Sequence, residues 1–125
     1  MRLGTRLINT KKSTSDINSS GNLIKVDFSF ADSSPKTIDV LSPGDFIKDV
    51  YLEILGVFPA SSQLTIGFPA DNDEIMKANE NKSNKAGVYH VSPFRETTVL
   101  ENLNLYLSGP LGTGTGRVIV EFGEF

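Results

Sequence analysis

The chain has no cysteine and no tryptophan, and only one of its 125 residues is histidine. Without cysteine there is no disulfide framework and no thiolate metal site. No apolar stretch approaches the roughly 20 residues that a membrane-spanning helix needs. The basic N-terminus is not followed by an apolar region, so it does not read as a secretory signal. We therefore expect no membrane partner, and a core that holds together without covalent links.

The charge balance is mildly acidic. The formal net charge is −3 and the isoelectric point is near 5.1. Proteins that bind nucleic acid usually concentrate basic residues on one face, whereas the one basic cluster here is Lys11-Lys12. The composition therefore predicts that nucleic acid is not a partner.

Alternation of apolar and polar residues dominates the chain from residue 22 onward. Period-two patterns rich in β-branched and aromatic residues are typical of half-buried strands, and no window shows a sustained helical period. Turn residues separate the candidate strands, which are 22–30, 37–41, 46–55, 63–68, 74–77, 87–92, 96–100, 102–108 and 117–122. This pattern predicts an all-β fold: a single antiparallel β-sandwich or jelly roll of about eight strands, formed by residues 22–125.

Finer predictions follow from the same alternation. Ile38 and Val40 should both point inward from a short strand, and Thr97 and Val99 should share one face of another. Residues 69–73 read as an acidic turn. The polar, Asn-rich stretch 78–85 reads as an exposed loop.

The first 21 residues differ in composition from the rest. Leu3, Leu7 and Ile8 are the apolar points of a short initial segment, and residues 9–22 are almost entirely Ser, Thr, Lys, Asp and Asn. Such a composition cannot bury enough apolar surface to order itself. We therefore predict that residues 1–21 form a flexible, extended N-terminal arm, with an apolar anchor followed by a linker.

Catalytic groups are sparse. We interpret His90 as a surface or packing histidine, because we find no serine, cysteine or second histidine nearby with which it could form a relay or a zinc site. Two carboxylate pairs, Asp45 with Asp49 and Glu96 with Glu101, could in principle serve glycoside hydrolysis, which needs a cleft and one desolvated acid. Nothing in the sequence places either pair in a cleft, and there is no tryptophan to stack on a sugar. The sequence therefore predicts a protein that is not an enzyme and uses no cofactor.

Metal binding has only a weak candidate. Asp71, Asp73 and Glu74 form the densest carboxylate cluster, and oxygen ligands at alternating positions can hold calcium. The central glycine and later glutamate of a full calcium loop are missing, so we interpret the cluster as a solvated or capped turn. A calcium site shared between subunits is the minor alternative. Residues 112–116 lack the ending of a phosphate loop and predict a hairpin connection.

Apolar side chains on the outward phase of the strands suggest a surface for partners. Several such residues together indicate an interaction surface more often than one alone does. The alternative is that the protein's own loops partly cover both sheets. Together with the apolar points of the arm, the candidate partner-binding residues are Leu3, Leu7, Ile8, Tyr51, Tyr106, Ile119 and Phe125.

Five segments, taken in order, carry a family resemblance. They are Ile47-Lys-Asp-Val-Tyr-Leu-Glu-Ile, Leu64-Thr-Ile-Gly, Asp71-Asn-Asp-Glu-Ile-Met, Ala86-Gly-Val-Tyr and Val118-Ile-Val-Glu-Phe. Each is ordinary β sequence by itself, and their order and spacing carry the likeness. Over about residues 45–122 the chain resembles small virion proteins of tailed bacteriophages, the jelly-roll or β-sandwich modules found as capsid decoration proteins and as head-fibre or tail-associated domains.

The resemblance implies attachment and not catalysis. It implies a capsid decoration (cementing) protein that binds the outer capsid lattice and stabilises it, made in the host bacterial cytoplasm and located on the virion surface. The implied partners are the major capsid protein and further copies of this chain, and a trimer would suit a capsid three-fold axis. The alternatives are a receptor- or glycan-binding module of a phage fibre or tail, binding through loops 69–85 or 109–116, and a head–tail connector component.

Overall fold

Two antiparallel sheets make up the computed structural model, which describes residues 22–123. The arm predicted for residues 1–21 and the last two residues, Glu124 and Phe125, lie outside the described part. The strands are β1 (Leu23–Ser29), β2 (Lys36–Leu41), β3 (Phe46–Gly56), β4 (Gln63–Phe68), β5 (Asp71–Met76), β6 (Gly87–Val91), β7 (Arg95–Glu96), β8 (Glu101–Ser108) and β9 (Thr115–Gly123), with a 3₁₀ helix at Ala78–Glu80. None of the described residues forms a helix that is both long and apolar enough to cross a membrane.

The strand order confirms the predicted sandwich. Sheet one has the order β1-β9-β3-β6, with the two-residue β7 also paired to β3, and sheet two has the order β2-β8-β4-β5. Most connections between consecutive strands cross from one sheet to the other. The edge strands are β1 and β2 on one side of the sandwich and β6 and β5 on the other. This is the connectivity of a double-sheet jelly roll.

A single hydrophobic core fills the space between the sheets. Val50, Leu52 and Ile54 of β3 are buried, as their alternation predicts, and they belong to the same core cluster as Leu64 of β4 and Leu105 of β8. Fully burying an aliphatic side chain of this size stabilises the folded state by roughly 1.5–3 kcal/mol. Rigid faces on both sides of the sandwich follow from this packing.

Val40 does not point inward, and its prediction was wrong. The pairing of β2 with β8 shifts register between Thr37 and Asp39. A register shift of this kind changes which residues face the core. Ile38 and Leu41 are therefore buried, while Val40 is exposed on the outside of the sheet.

The strand predicted for residues 96–100 is also wrong for most of its length. Pairing stops at Glu96. The next residue, Thr97, is bonded through its backbone to the β2–β3 turn: its N–H donates to Asp45 O at 2.7 Å, and Gly44 N–H donates to Thr97 O at 2.8 Å. Thr97 is consequently buried while Val99 is exposed, so the two do not share a face.

Two connections differ from their predictions. The expected acidic turn contains only Pro69 and Ala70, because β5 begins at Asp71 and pairs with Phe68. The stretch 78–85 is not simply an exposed loop, since Asn81 and Ser83 are buried within it. Their anchoring contacts are Asn81 Nδ2 to Leu64 O at 3.0 Å, Ser83 Oγ to Ser62 Oγ at 2.7 Å, and Phe58 N to Ser83 O at 2.8 Å.

Candidate docking surfaces

Two of the predicted partner-binding residues are neighbours on the outer face of sheet one. Tyr51 of β3 and Ile119 of β9 are directly paired, and both side chains are half-buried. Tyr106 lies on the other sheet, sheet two, and is not part of this pair. Its hydroxyl accepts a hydrogen bond from Asn104 Nδ2 at 3.1 Å. The remaining four, Leu3, Leu7, Ile8 and Phe125, lie outside the described residues.

The pair belongs to a row that crosses the whole of sheet one. Lys25 of β1 is paired with Ile119, Ile119 with Tyr51, and Tyr51 with His90 of β6. The Tyr51 and His90 rings stack with centroids 4.5 Å apart and an interplanar angle of 15°. We call Lys25, Ile119, Tyr51 and His90 the central row. Ile119 and Tyr51 form its middle, between Lys25 at one end and His90 at the other.

A charged row runs beside the central row. Arg117 Nε donates to Asp27 at 2.8 Å, and Arg117 Nη1 lies 3.6 Å from Glu53. The hydrogen bond from Arg117 to Asp27 raises the pKa of the guanidinium, which therefore stays charged. Exposed ion pairs contribute little to stability, so this row mainly places charges of both signs beside the apolar middle.

A polar cluster lies at the β6 end of the central row. Asp49 Oδ1 is 2.8 Å from His90 Nε2 and accepts a hydrogen bond from Ser92 Oγ, which is itself 3.2 Å from His90 Nε2. The prediction that no serine lies near His90 was wrong, since Ser92 follows it by two residues, just beyond the end of β6. In a catalytic relay the histidine lies between the hydroxyl and the carboxylate. Here Ser92 Oγ and His90 Nε2 both contact the same oxygen of Asp49. The cluster therefore holds the His90 ring in place and does not have the geometry of a relay.

The Asp49 cluster makes a prediction for acid titration. The hydrogen bond from Ser92, and then that from His90, hold the pKa of Asp49 below its usual value of 3.8. Because the folded-state pKa is the lower one, the carboxylate stabilises the fold above pH about 4, and this contribution is lost as the pH falls through the folded-state pKa. Ser92→Ala should raise the Asp49 pKa measured by carboxyl NMR titration.

Ser108→Ala is the matched control, since Ser108 is exposed at the end of β8. We expect it to leave the Asp49 titration unchanged. An Asp49 pKa at or above 3.8 in the wild-type protein would contradict the hydrogen-bonded arrangement.

Arg95 links the two sheets at the side where β5 and β6 form the edges. From β7 its Nη1 donates to Glu101 of β8 at 2.8 Å, its Nε donates to Glu74 of β5, and its guanidinium carbon lies 4.1 Å from the centroid of the Phe68 ring. Burial alone would lower the pKa of Arg95, but the hydrogen bonds to Glu101 and Glu74 outweigh it and raise that pKa. Nothing in the local sequence around Arg95 signals this role, because its partners come from distant strands.

A polar groove of about 470 Å³ lies next to Arg95, between the β5 and β6 edges. Two carboxylates line it. Glu74 is paired with Arg95, and Glu80 Oε1 accepts a hydrogen bond from Lys77 N at 2.8 Å. Both carboxylates therefore have partners within the fold.

Several of the carboxylates considered for metal binding and hydrolysis have structural contacts. Glu74 binds Arg95, whereas Asp71 lies at the exposed start of β5, and the described residues include no group of three or more histidine or acidic side chains placed to hold a metal ion. Of the carboxylate pairs, Asp45 Oδ2 accepts from Ser42 N at 2.8 Å and Glu101 binds Arg95. These contacts favour turn and ion-pair roles.

Comparison with known proteins identifies the fold. No protein-family model matches the chain, and no curated protein matches it. A chain in the cyanophage Pam1 capsid asymmetric unit matches with a TM-score of 0.64 and 14% identity, covering 82% of this chain and 84% of that one. A chain in the acidic stable capsid structure of Helicobacter pylori bacteriophage KHP30 matches with a TM-score of 0.62 and 16% identity, covering 80% and 84%. This chain therefore has a β-sandwich fold that also occurs in two phage capsid structures.

Proposed function

We propose that the protein is a non-enzymatic structural component of a bacteriophage particle, and more specifically a decoration protein on the outer capsid lattice. The fold likeness to chains of two phage capsid structures carries this proposal, since it spans at least four fifths of each chain compared. The contacts of Asp49 and His90 support the non-enzymatic part of the proposal. Both side chains are of types that enzymes use for catalysis, and here both are held in structural hydrogen bonds.

The outer face of sheet one is the docking face in this proposal. Its central row offers Ile119 and Tyr51 as an apolar middle, and ion pairs lie on either side of it: Arg117 with Asp27, and Lys48 with Glu121 at 3.9 Å. On a lattice the same contact is repeated many times, so that modest affinities add through avidity.

Self-association belongs to the same proposal. Copies on a closed lattice are related by symmetry, and a trimer matches a three-fold axis. The surfaces that we assign to contacts between copies are the two ends of the sandwich.

Binding to capsids that lack this protein tests the proposal. We expect the purified full-length chain to bind such capsids in a fixed, saturating ratio. Ile119→Lys should weaken binding about 10-fold or more, because it places an unpaired ammonium in the middle of the docking face, and 10-fold corresponds to about 1.4 kcal/mol. The matched control is Thr65→Lys on sheet two, where Thr65 is paired with Tyr106. This variant should bind like the wild type.

Three other results would count against the proposal. Failure of the wild-type chain to bind capsids would overturn it. If Thr65→Lys weakens binding and Ile119→Lys does not, the docking face is on sheet two. Binding to bacterial surface glycans on an array, without capsid binding, would instead identify a fibre or tail module.

A further inference from the structure

Residues 93–100, which include the short strand β7 and which we call the corner loop, have an inverted pattern of burial. Thr97 is polar but fully buried, while the apolar Phe94, Val99 and Leu100 are 59%, 57% and 70% exposed. Large apolar side chains clustered on one short segment are typical of an interaction site. All three belong to the same eight-residue connection, the residues of which are Pro93 to Leu100.

Several contacts hold the corner loop in place. Thr97 is bonded through its N–H and its carbonyl to the β2–β3 turn. Arg95, within the loop, also binds Glu101, the residue that directly follows the loop, at 2.8 Å. The exposed side chains are therefore presented on a fixed backbone, which lowers the entropy that a partner must overcome on binding.

Phe94 adds a second sign of a specialised segment. Its φ angle is +46°, a left-handed conformation that is uncommon for an aromatic residue. Its ring contacts that of Phe46 with centroids 6.2 Å apart, so one side of the ring is supported while the other faces outward. Strained residues of this kind persist only where the surroundings hold them, and they occur often at binding sites.

The chain enters the sandwich at the same end. Leu23, the first residue of β1, is paired with Glu121 of β9, and Phe46 of β3 is paired with both Gly123 and Glu96. The order across this end is thus β1, β9, β3 and β7. At about 4.8 Å per strand, residue 22 lies about 14 Å from the corner loop.

The length of the preceding chain fits this distance. Residues 9–22 are a polar stretch of 14 residues, and a random-coil chain of that length has a root-mean-square span of about 20 Å. An attached segment reaches its highest effective concentration, in the millimolar range, when the linker span is close to the distance to be bridged.

The chemistry of residues 1–8 fits the corner loop as well. Leu3, Leu7 and Ile8 alternate with Arg2 and Arg6 in this segment. The corner loop offers exposed apolar side chains beside acidic groups: Glu96 is exposed, and Glu74 and Glu101 share the single guanidinium of Arg95. Residues 1–21 carry four basic residues and one acidic residue, a charge of +3, whereas residues 22–123 carry eight basic and 13 acidic residues, a charge of −5.

We propose that the corner loop is the docking site for residues 1–8 of the same chain. Leu3, Leu7 and Ile8 cover Phe94, Val99 and Leu100, and the two arginines face the neighbouring carboxylates. The proposal does not depend on a role in a phage particle, because it concerns a contact within one molecule.

Disulfide trapping in the full-length chain tests it, since the absence of cysteine makes any introduced pair unique. Thr5→Cys combined with Thr98→Cys leaves all the apolar side chains in place. Under mild oxidation of dilute protein we expect an intramolecular disulfide to form at least 10-fold faster than in the control pair, Thr5→Cys with Ser61→Cys. Ser61 is also exposed, but it lies in the β3–β4 connection at the opposite end of the sandwich.

A second variant separates docking from mere proximity. Leu100→Ser in the Thr5/Thr98 background should slow trapping at least 5-fold, whereas Val57→Ser, at a 51% exposed site beyond the end of β3, should not. Equal rates for the two cysteine pairs, or no effect of Leu100→Ser, would overturn the proposal. A disulfide between two molecules in dilute solution would overturn the intramolecular contact and assign the site to the segment of a second copy.

Discussion

Replacing Gly67 by alanine is expected to lower the free energy of unfolding by about 3 kcal/mol, a large fraction of the stability of a domain this size. Gly67 is a buried residue of β4, and β5 folds closely over it. An added Cβ would lie 2.6 Å from the carbonyl carbon and 2.8 Å from the carbonyl oxygen of Asn72, and it would also collide with the Asp71 oxygen. These are backbone atoms, which cannot rotate away, so the start of β5 would have to move.

Urea unfolding of Gly67→Ala and Gly123→Ala measures this effect against a matched control. Gly123 is also a strand glycine, but its nearest neighbours are atoms of the flexible Lys48 side chain at 3.4 Å. We expect Gly123→Ala to change stability by less than about 0.5 kcal/mol. Equal stability of the two variants would show that the backbone of Asp71 and Asn72 does not pack closely against Gly67.

The fold could be predicted where burial follows strict alternation. Residues such as Leu52 in β3 and Leu105 in β8 are buried as their pattern indicates, because a strand with one face on a core repeats every two residues. Enough strands obey this rule to define a two-sheet sandwich. The class of fold was therefore accessible from local sequence alone.

The errors occur where contacts with other strands override the local pattern. Asp71 and Asp73 have low strand propensity and read as turn residues, yet pairing with β4 makes them part of β5. Thr97 and Val99 look like alternate residues of one strand, but backbone bonds to Gly44 and Asp45 end the strand before them. Neither effect has a signal in the neighbouring sequence.

The candidate surface was predicted only in part. Tyr51 and Ile119 were identified by their outward phase, but their adjacency depends on the register of β3 against β9, which local sequence does not define. Asp49 and His90 are 41 residues apart. Arg95 and its partners come from three different strands, so the ion pairs that link the two sheets could not be found before the topology was known.

Those ion pairs lead to the second large effect: Arg95→Met is expected to lower the free energy of unfolding by about 2 kcal/mol. Methionine keeps much of the side-chain length over Phe68 but leaves Glu74 and Glu101 without their shared counter-ion. Removing one partner of a buried pair costs about 3–5 kcal/mol, and the value here is reduced because the Arg95 side chain is 23% exposed.

A double-mutant cycle separates lost packing from lost charge pairing. Adding Glu101→Gln to Arg95→Met removes one of the two unpaired carboxylates, so we expect it to restore about 1 kcal/mol of the loss, whereas in the wild-type background Glu101→Gln should destabilise. If Glu101→Gln has the same effect in both backgrounds, Arg95 and Glu101 are not coupled.

Coupling between Arg95 and Glu101 has a further consequence, because Arg95 lies within the corner loop and Glu101 directly follows it. Hydrogen exchange at the Thr97 amide, which donates to Asp45 O, should then accelerate in Arg95→Met by more than global destabilisation explains. The same residue would thus join the two sheets and hold the apolar corner in the conformation in which it can be bound.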